Sequence, residues 1–502
     1  MTTSYLELLK LGGAEALLVV AGLAVLLVDL GVMRDAPLER RMRVAAFGAA
    51  AGCVVAGLWA LCGGAHGRTP GGVLVIDPLS QLTKTVILLM ALATALLSIP
   101  ARFTRHVGEY FSLLLFGTVG MMLMVSTENI LLLFVALELA SLTLYVLTAF
   151  NDENPDAEEA ALKYFLFGGV AAAFLLFGLS LLYGLSGSLD LREIGRALQG
   201  RGMEPAVAAA VALVVVGFGF KVAAVPFHLW APDAYVGAPT PVAALIASGS
   251  KVAAFFLLGK VVMVGFTDVA GHAAWGNMQS GWAPTLAILA FFSLLLGNLV
   301  AVAQKRVKRL LAYSAIAHAG YMLVAVQALA DPAHRSVGFA ALLFYVMIYG
   351  LTTIGAFGVT GVVERNHEGS DALESFEGLH RRAPVLSFML MIFFLSLAGI
   401  PPMAGFIGKF SLFGVALSAK GGLGLMWLVC FAVAMSAVAL YYYLRVLKRG
   451  FVMDGPEGAA LLRVDLPSVV VLGLLTAGVL ALGLFPGLLL DPLTHAISAA
   501  GL

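Results

Sequence analysis

Residues 211–233 read VALVVVGFGFKVAAVPFHLWAPD. An unbroken apolar run leads into Lys221, and Pro226 follows within two turns. A charged side chain at mid-membrane costs about 2.5–3.5 kcal/mol on insertion scales, so residues of this kind usually mark an ion or substrate path. Proline removes a backbone donor and disturbs the carbonyl four residues earlier. Irregular backbone at membrane depth survives only against protein or a water-lined cavity. The stretch therefore predicts a spanning helix broken beside a buried charge. The same theme returns at residues 395–410, LSLAGIPPMAGFIGKF, where Pro401 and Pro402 precede Lys409.

Working outward, the 502 residues are 61% hydrophobic and 12% charged. Soluble domains carry about 25% charged residues, so this is a membrane composition. The net charge of +1 excludes the basic face that nucleic acid requires. Cys53, Cys62 and Cys430 lie in apolar runs and form no CxxC pair, which gives no sign of a disulfide framework, zinc site or iron–sulfur site. The first apolar run lacks a basic leader and a cleavage site, and is read as a retained membrane helix.

A bilayer core of about 30 Å needs roughly 20 apolar residues per helix, and by that rule the chain carries about 14 transmembrane helices. The fold class is an all-α polytopic membrane protein, because the spans lack the alternation of a barrel. The loops RDAPLERRMR, ARFTRH, QKRVKR, ERNHEGSDALESFEGLHRR and RVLKRG fall on one side. That side holds about 18 Lys and Arg against about 7 on the other, which makes it cytoplasmic and puts both termini on the outer side. The outer segment 186–205 has Leu189, Ile194 and Leu198 near helical spacing and is expected to form a short surface helix.

Four ionisable residues then need an account. Glu138 lies mid-span in NILLLFVALELASLTLYVL, too deep to reach water. Burial disfavours its charge and a nearby lysine would favour it, so movement of the partner changes its proton occupancy. Lys221, Lys251 in ALIASGSKVAAFFLLGK and Lys409 are buried amines of the same kind. The small residues Ser248, Gly249 and Ser250 leave room beside Lys251 for close packing or water. The alternative for each is an inert hydrogen-bond partner holding helices together. His228, two residues after Pro226, and His318, mid-span in YSAIAHAGYML, are relay candidates because imidazole titrates near neutrality. One His per span gives poor support to haem ligation. Lys163, at the start of EEAALKYFLFGG, is either an anchor or a further relay. Lys84 and Lys260 lie nearer span ends and are expected to snorkel.

The two broken spans are the seventh and the twelfth. An odd offset reverses direction through the membrane, as an inverted repeat of five helices requires. The expected division is 1–107, an N-terminal three-helix segment; 108–266 and 267–450, the two repeats; and 451–502, a C-terminal helix. Lys221 precedes its proline while Lys409 follows Pro402, so the breaks correspond and the lysines do not.

LELASLTLYVLTAF, EEAALKYFLFGG, FKVAAVPFHLWAPDAYVGAPTPV, VKRLLAYSAIAHAGYMLV and LSLAGIPPMAGFIGKF together resemble the antiporter-like membrane subunits of bacterial respiratory complex I, the proton-pumping NADH:quinone oxidoreductase. DAYVGAPTPV followed by SGSK, and HAGYML after AYSAIA, favour the subunit N group. The likeness runs from about the fourth span to the thirteenth. It implies that Glu138 pairs with Lys221, that Lys251 is the centre of a polar axis, and that Lys409 is its terminal charge. Some sibling subunits have glutamate at that last position. Lys163 matches the ALKYF motif. The resemblance implies proton translocation in a bacterial inner membrane, driven by quinone reduction elsewhere in the complex. Two charges about 4 Å apart interact by about 4 kcal/mol at an effective dielectric of 20, enough leverage to move a proton. NADH, flavin, iron–sulfur clusters and quinone belong to the complex; no cofactor, metal or soluble ligand is expected on this chain. Its expected partners are other membrane subunits and the lipid bilayer. The alternatives are a subunit of a multisubunit cation/proton antiporter and a scaffold whose charges only join helices.

Overall fold

The structure is a computed structural model, and it describes residues 5–63, 66–151, 154–419, 424–455 and 461–502. The chain begins with α1 (Tyr5–Leu11), α2 (Gly13–Leu27, prolonged by a π-helical turn at Val28–Val32) and α3 (Leu38–Cys62). A two-stranded hairpin, β1 (Gly67–Arg68) with β2 (Val75–Ile76), leads to α4 (Pro78–Leu97). Next come α5 (Val107–Val125), α6 (Ile130–Thr148), α7 (Asp156–Ser186) and the short α8 (Leu191–Ala197). Then follow α9 (Pro205–Lys221), α10 (Trp230–Gly237), α11 (Thr240–Ala247) and α12 (Gly249–Lys260, with a π-helical turn at Val261–Gly265). The remainder is α13 (Trp282–Ala303), α14 (Val307–Val326), α15 (Arg335–Arg365), α16 (Leu379–Arg382), α17 (Pro384–Ala398), α18 (Ala404–Ser418), α19 (Met426–Phe451), α20 (Leu466–Leu484) and α21 (Gly487–Ala499).

Among the described residues twelve helices are long and apolar enough to cross a membrane. Three shorter apolar helices, α9, α17 and α18, lie at the two proline breaks. The expected broken spans are therefore α9–α10 and α17–α18. A third interruption, at Ser248 between α11 and α12, carries no proline. Helix α21 is an addition that the hydropathy of the sequence does not announce.

Burial ranks the helices. The whole apolar window of Thr240–Gly265 is buried, against 33% of that in α7. The α11–α12 span, α14 and α15 thus form the centre, while α2, α7 and α20 offer apolar faces to lipid or to other chains.

One end of the bundle is knitted by loops. Backbone bonds join Val75 to Ser126, Glu128 to Gly72, and Leu191 to Glu128. Asp190 caps α8, whose Leu191 and Ile194 are buried, as expected of a surface helix over 186–205. Gly195 lets α8 approach the π-helical turn after α12, because a Cβ there would meet the Val264 carbonyl oxygen at 2.3 Å.

Candidate functional site

The broken helix α9–α10 is built around its freed backbone groups. Ala223 takes a left-handed conformation at φ 58°, and Ala224 N–H turns back to the Gly219 carbonyl. Val225 N–H donates to Ser293 Oγ at 2.9 Å, and Trp230 Nε1 donates to the Phe220 carbonyl at 3.1 Å. Neighbouring side chains thus satisfy what the proline leaves open, as a break inside a membrane demands. In the second break Gly399, at φ 86°, ends α17, and Gly405 N–H donates to Ser396 Oγ at 3.1 Å.

Lys221 closes the last turn of α9 and is 3% exposed. Its Nζ donates to Ser141 Oγ at 2.8 Å. Glu138 stands one turn from Ser141 on α6 and is half-buried, beside a crevice lined by Tyr145, Gly168, Ala171, Leu175 and Phe220. The expected contact of Glu138 with Lys221 is therefore not a direct ion pair; Ser141 stands in its place.

Lys409 lies in the second turn of α18 and reaches back across its break. Its Nζ donates to the carbonyl of Ala398, the last residue of α17, at 3.0 Å, and to Ser436 Oγ at 3.1 Å. The C-terminal end of a helix carries partial negative charge and favours a cation. Both lysines therefore serve the C-terminal end of the first half-helix, Lys221 from within it and Lys409 from beyond. Sequence order, in which one lysine precedes its proline and the other follows, hides this likeness.

Lys251 is buried on α12 and donates to the Ala315 carbonyl of α14. Between Lys251 and Lys409 lies His318, a relay candidate of the sequence, within a set of tyrosines that sequence reasoning missed. Lys251 Nζ is 5.6 Å from the centre of the Tyr349 ring. Tyr349 is 4.8 Å from the His318 ring, and His318 is 5.6 Å from Tyr321. Lys409 Nζ is 4.6 Å from the centre of Tyr321. His318 also bonds through Nδ1 to Tyr345 Oη at 2.7 Å and through Nε2 to Tyr443 Oη at 3.2 Å. Tyr443 in turn bonds Ser314. The signal was present as Tyr345 and Tyr349 one turn apart and Tyr321 one turn after His318, but tyrosine inside an apolar run reads as core.

Other sequence candidates fall elsewhere. Lys163 is 42% exposed and ion-paired with Glu159 at 2.7 Å and Asp233 at 3.0 Å, away from these groups. His228 is half-buried within the α9–α10 break, and its Nδ1 has no hydrogen-bond partner among the described residues. Lys84 and Lys260 do not snorkel. Both are 0% exposed; Lys84 pairs with Glu15 at 2.7 Å, and Lys260 stands 3.4 Å from Glu128 and 4.0 Å from Asp77. Each partner comes from a distant part of the chain, so distance from a span end gave no warning. Lys308 is likewise buried, 3.5 Å from Glu364 and bonded to the Ala238 carbonyl at 2.9 Å. Lys221, Lys251 and Lys409 differ from these three: their hydrogen-bond partners are the neutral oxygens already named.

Residues 127–436 match the family described as NADH:quinone oxidoreductase/Mrp antiporter, TM. Across 496 residues, covering 97% of this chain and 98% of the relative, the sequence is 48% identical to NADH-quinone oxidoreductase subunit N 2 of Acidobacterium capsulatum. The chain belongs to the subunit N branch of that family. A chain of respiratory complex I from Thermus thermophilus is 35% identical, with TM-score 0.76 over 95% of this chain and 98% of that one. A chain of the membrane-bound sulfane sulfur reductase, an archaeal respiratory membrane complex, is 25% identical, with TM-score 0.82 over 99% and 98%. The likeness to the Acidobacterium relative extends past the fourth to thirteenth spans into the N-terminal helices, which the motifs had left generic.

Proposed function

We propose that this chain is a proton-translocating membrane subunit of a bacterial NADH:quinone oxidoreductase and carries protons along Glu138, Lys221, Lys251 and Lys409. The oxidoreductase activity belongs to the assembly, in which this chain works beside other membrane subunits. NADH, flavin, iron–sulfur clusters and quinone are assigned to that assembly. The observation that carries the reading is the cluster of Tyr349, His318 and Tyr321 packed between Lys251 and Lys409. An ammonium, an imidazole and phenols in series can pass a proton with short water bridges between them. A buried cation without a counter-charge relieves its burial cost by releasing a proton. Glu138, half-buried, receives the electrostatic change that quinone reduction produces in a neighbouring subunit. Lys221 answers through Ser141, Lys251 relays, and Lys409 is the terminal group. Lys163 is the cytoplasmic-side anchor in this reading.

The charge asymmetry of the loops supports placing the Lys308 end in the cytoplasm and the Glu128 end outside, with both termini outside and the chain in the inner membrane. The breaks support two inverted repeats over 108–266 and 267–450, preceded by 1–107 and followed by 451–502. The 48% identity to a subunit N favours this reading over a cation/proton antiporter subunit. Purification separates the two, since flavin and iron–sulfur subunits accompany only the former. Lys221→Ala is predicted to leave the complex assembled and to reduce proton pumping by reconstituted vesicles. Full pumping by the assembled variant would sink the axis, and loss of assembly alone would favour a scaffold.

A further inference from the structure

A second set of buried charges lies outside the axis, on the N-terminal helices and at the Glu128 end. Helix α4 begins there with Asp77, whose carboxylate caps it through Ser80 N–H at 2.6 Å. Asp77, Gln81 and Lys84 follow at helical spacing along α4. Asp77 is 4.0 Å from Lys260, and Lys84 is 2.7 Å from Glu15 on α2. Arg68 bonds both Glu128 and Asp190, and Arg192 bonds Glu128 at 3.0 Å.

Several polar atoms in this set lack a hydrogen-bond partner among the described residues. Glu15 Oε2, Gln81 Oε1 and Lys260 Nζ make no hydrogen bond among the described residues, although Glu15 is 5%, Gln81 9% and Lys260 0% exposed. Buried polar atoms in native proteins are nearly always satisfied, by protein or by ordered water. Here the three atoms belong to α2, α4 and α12; α4 packs on α12, and its Lys84 reaches Glu15 of α2. Helices α4 and α12 pack together in opposite directions, with Asp77 beside Lys260. At 1.5 Å per residue Lys84 lies about 10 Å further in along α4, and Lys251 about 13 Å further in along α12. The Glu15–Lys84 pair is thus close to the depth of Lys251. Deeper along α4, about 20 Å in from Asp77, Met90 packs on Gly350 of α15, one residue from Tyr349.

We propose that Glu15, Lys84 and Gln81 form a hydrated outlet that takes protons from around Lys251 to the outer surface beside Asp77 and Lys260. Glu15 accepts a proton and becomes a neutral acid while Lys84 keeps its charge. Loss of that proton to water held by Gln81 restores the carboxylate, and the proton leaves past Asp77. One proton moves and the charges return to their starting values. Glu128, held by two arginines, fixes Lys260 at the mouth and does not itself carry the proton. The inference rests on the proton-carrying reading of the axis, and gives the helices before the fourth span a part in it.

The test uses the intact complex reconstituted in liposomes, reading proton release together with NADH oxidation. Three variants are compared: Gln81→Leu, Lys84→Arg and the double variant Glu15→Leu/Lys84→Met. Lys84→Arg keeps the ion pair and holds a positive charge that is never released, as the proposed step requires of Lys84. The double variant removes both charges, so neither is left unpaired. Loss of proton release in the assembled double-variant complex is expected, with Gln81→Leu slowed and Lys84→Arg, which keeps the fixed charge, close to wild type. Wild-type proton release by the assembled double variant overturns the outlet, and failure of all three to assemble does so too, by assigning these groups to assembly. Lys221→Ala is measured in parallel. Full pumping by that variant removes the axis itself; pumping lost in Lys221→Ala but kept in the double variant removes the outlet alone.

Discussion

Lys221 gives its hydrogen bond to a hydroxyl, and Ser141 in turn donates to the Leu137 carbonyl at 2.6 Å, so a single serine ties the lysine to the stretch of α6 that carries Glu138. Removing that hydroxyl leaves a buried ammonium without its acceptor, which costs about 2 kcal/mol or more. Ser141→Ala is therefore predicted to slow proton pumping by roughly tenfold or more while the complex still assembles. Ser141→Thr, which restores the hydroxyl, is predicted to recover most of the rate; equal rates for both variants and wild type would remove Ser141 from the path. At this scale the sequence is a good guide to which residues are charged and deep, and a poor guide to what they touch. Glu138, Lys221, Lys251 and Lys409 were legible because lysine and glutamate stand out in an apolar run. The tyrosines around His318 were not, because their rings satisfy the same pattern as core and only their hydroxyl geometry distinguishes them. Lys84 and Lys260 were misplaced for a third reason: Glu15 and Glu128 are brought to them by other helices, and no local window contains both partners.

The elements that hold these residues are helices stopped on purpose. Pro226 and the Pro401-Pro402 pair announced two of the stops, and the third, at Ser248, depends on packing around small residues and carries no such mark. Gly405 fits its break because a Cβ would meet the Ser396 carbonyl oxygen at 1.9 Å. Gly405→Ala is predicted to destabilise the α17–α18 junction by about 1–3 kcal/mol. A lowered thermal midpoint of the purified complex, with less of this subunit retained, is the expected readout; an unchanged midpoint would show that the junction relaxes freely. The loops at the Glu128 end give a pH dependence. Burial works to raise the Glu128 carboxyl, but Lys260, Arg68 and Arg192 outweigh it, and its pKa lies below the ordinary value. A carboxyl lowered in the folded state stabilises fully above its unfolded value of about 4.3 and loses that contribution as pH falls through the folded value. Amide exchange of the segment around 126–129 is predicted to rise steeply only in that acid window, and Glu128→Gln is predicted to raise it already at neutral pH.

Over the whole molecule, the three most buried spans, α11–α12, α14 and α15, carry Lys251, His318, Tyr321, Tyr345 and Tyr349. Lys251 sits on the α11–α12 span, whose apolar window is wholly buried, and touches α14 and α15, the next most enclosed. In the proposed reading that enclosure limits water in the middle of the path to short bridges between the protein's own groups. The aromatic groups between Lys251 and Lys409 could not be placed from the sequence. The spans holding Lys251, His318 and Lys409 are not consecutive in the chain, and their packing sets the aromatic groups between them. The most direct test is proton release by liposomes carrying the intact complex with Lys251→Met, a variant of similar length that cannot bind a proton. The account predicts an assembled complex in which proton release per NADH oxidised falls; assembled Lys251→Met complex that releases protons at the wild-type ratio would contradict it.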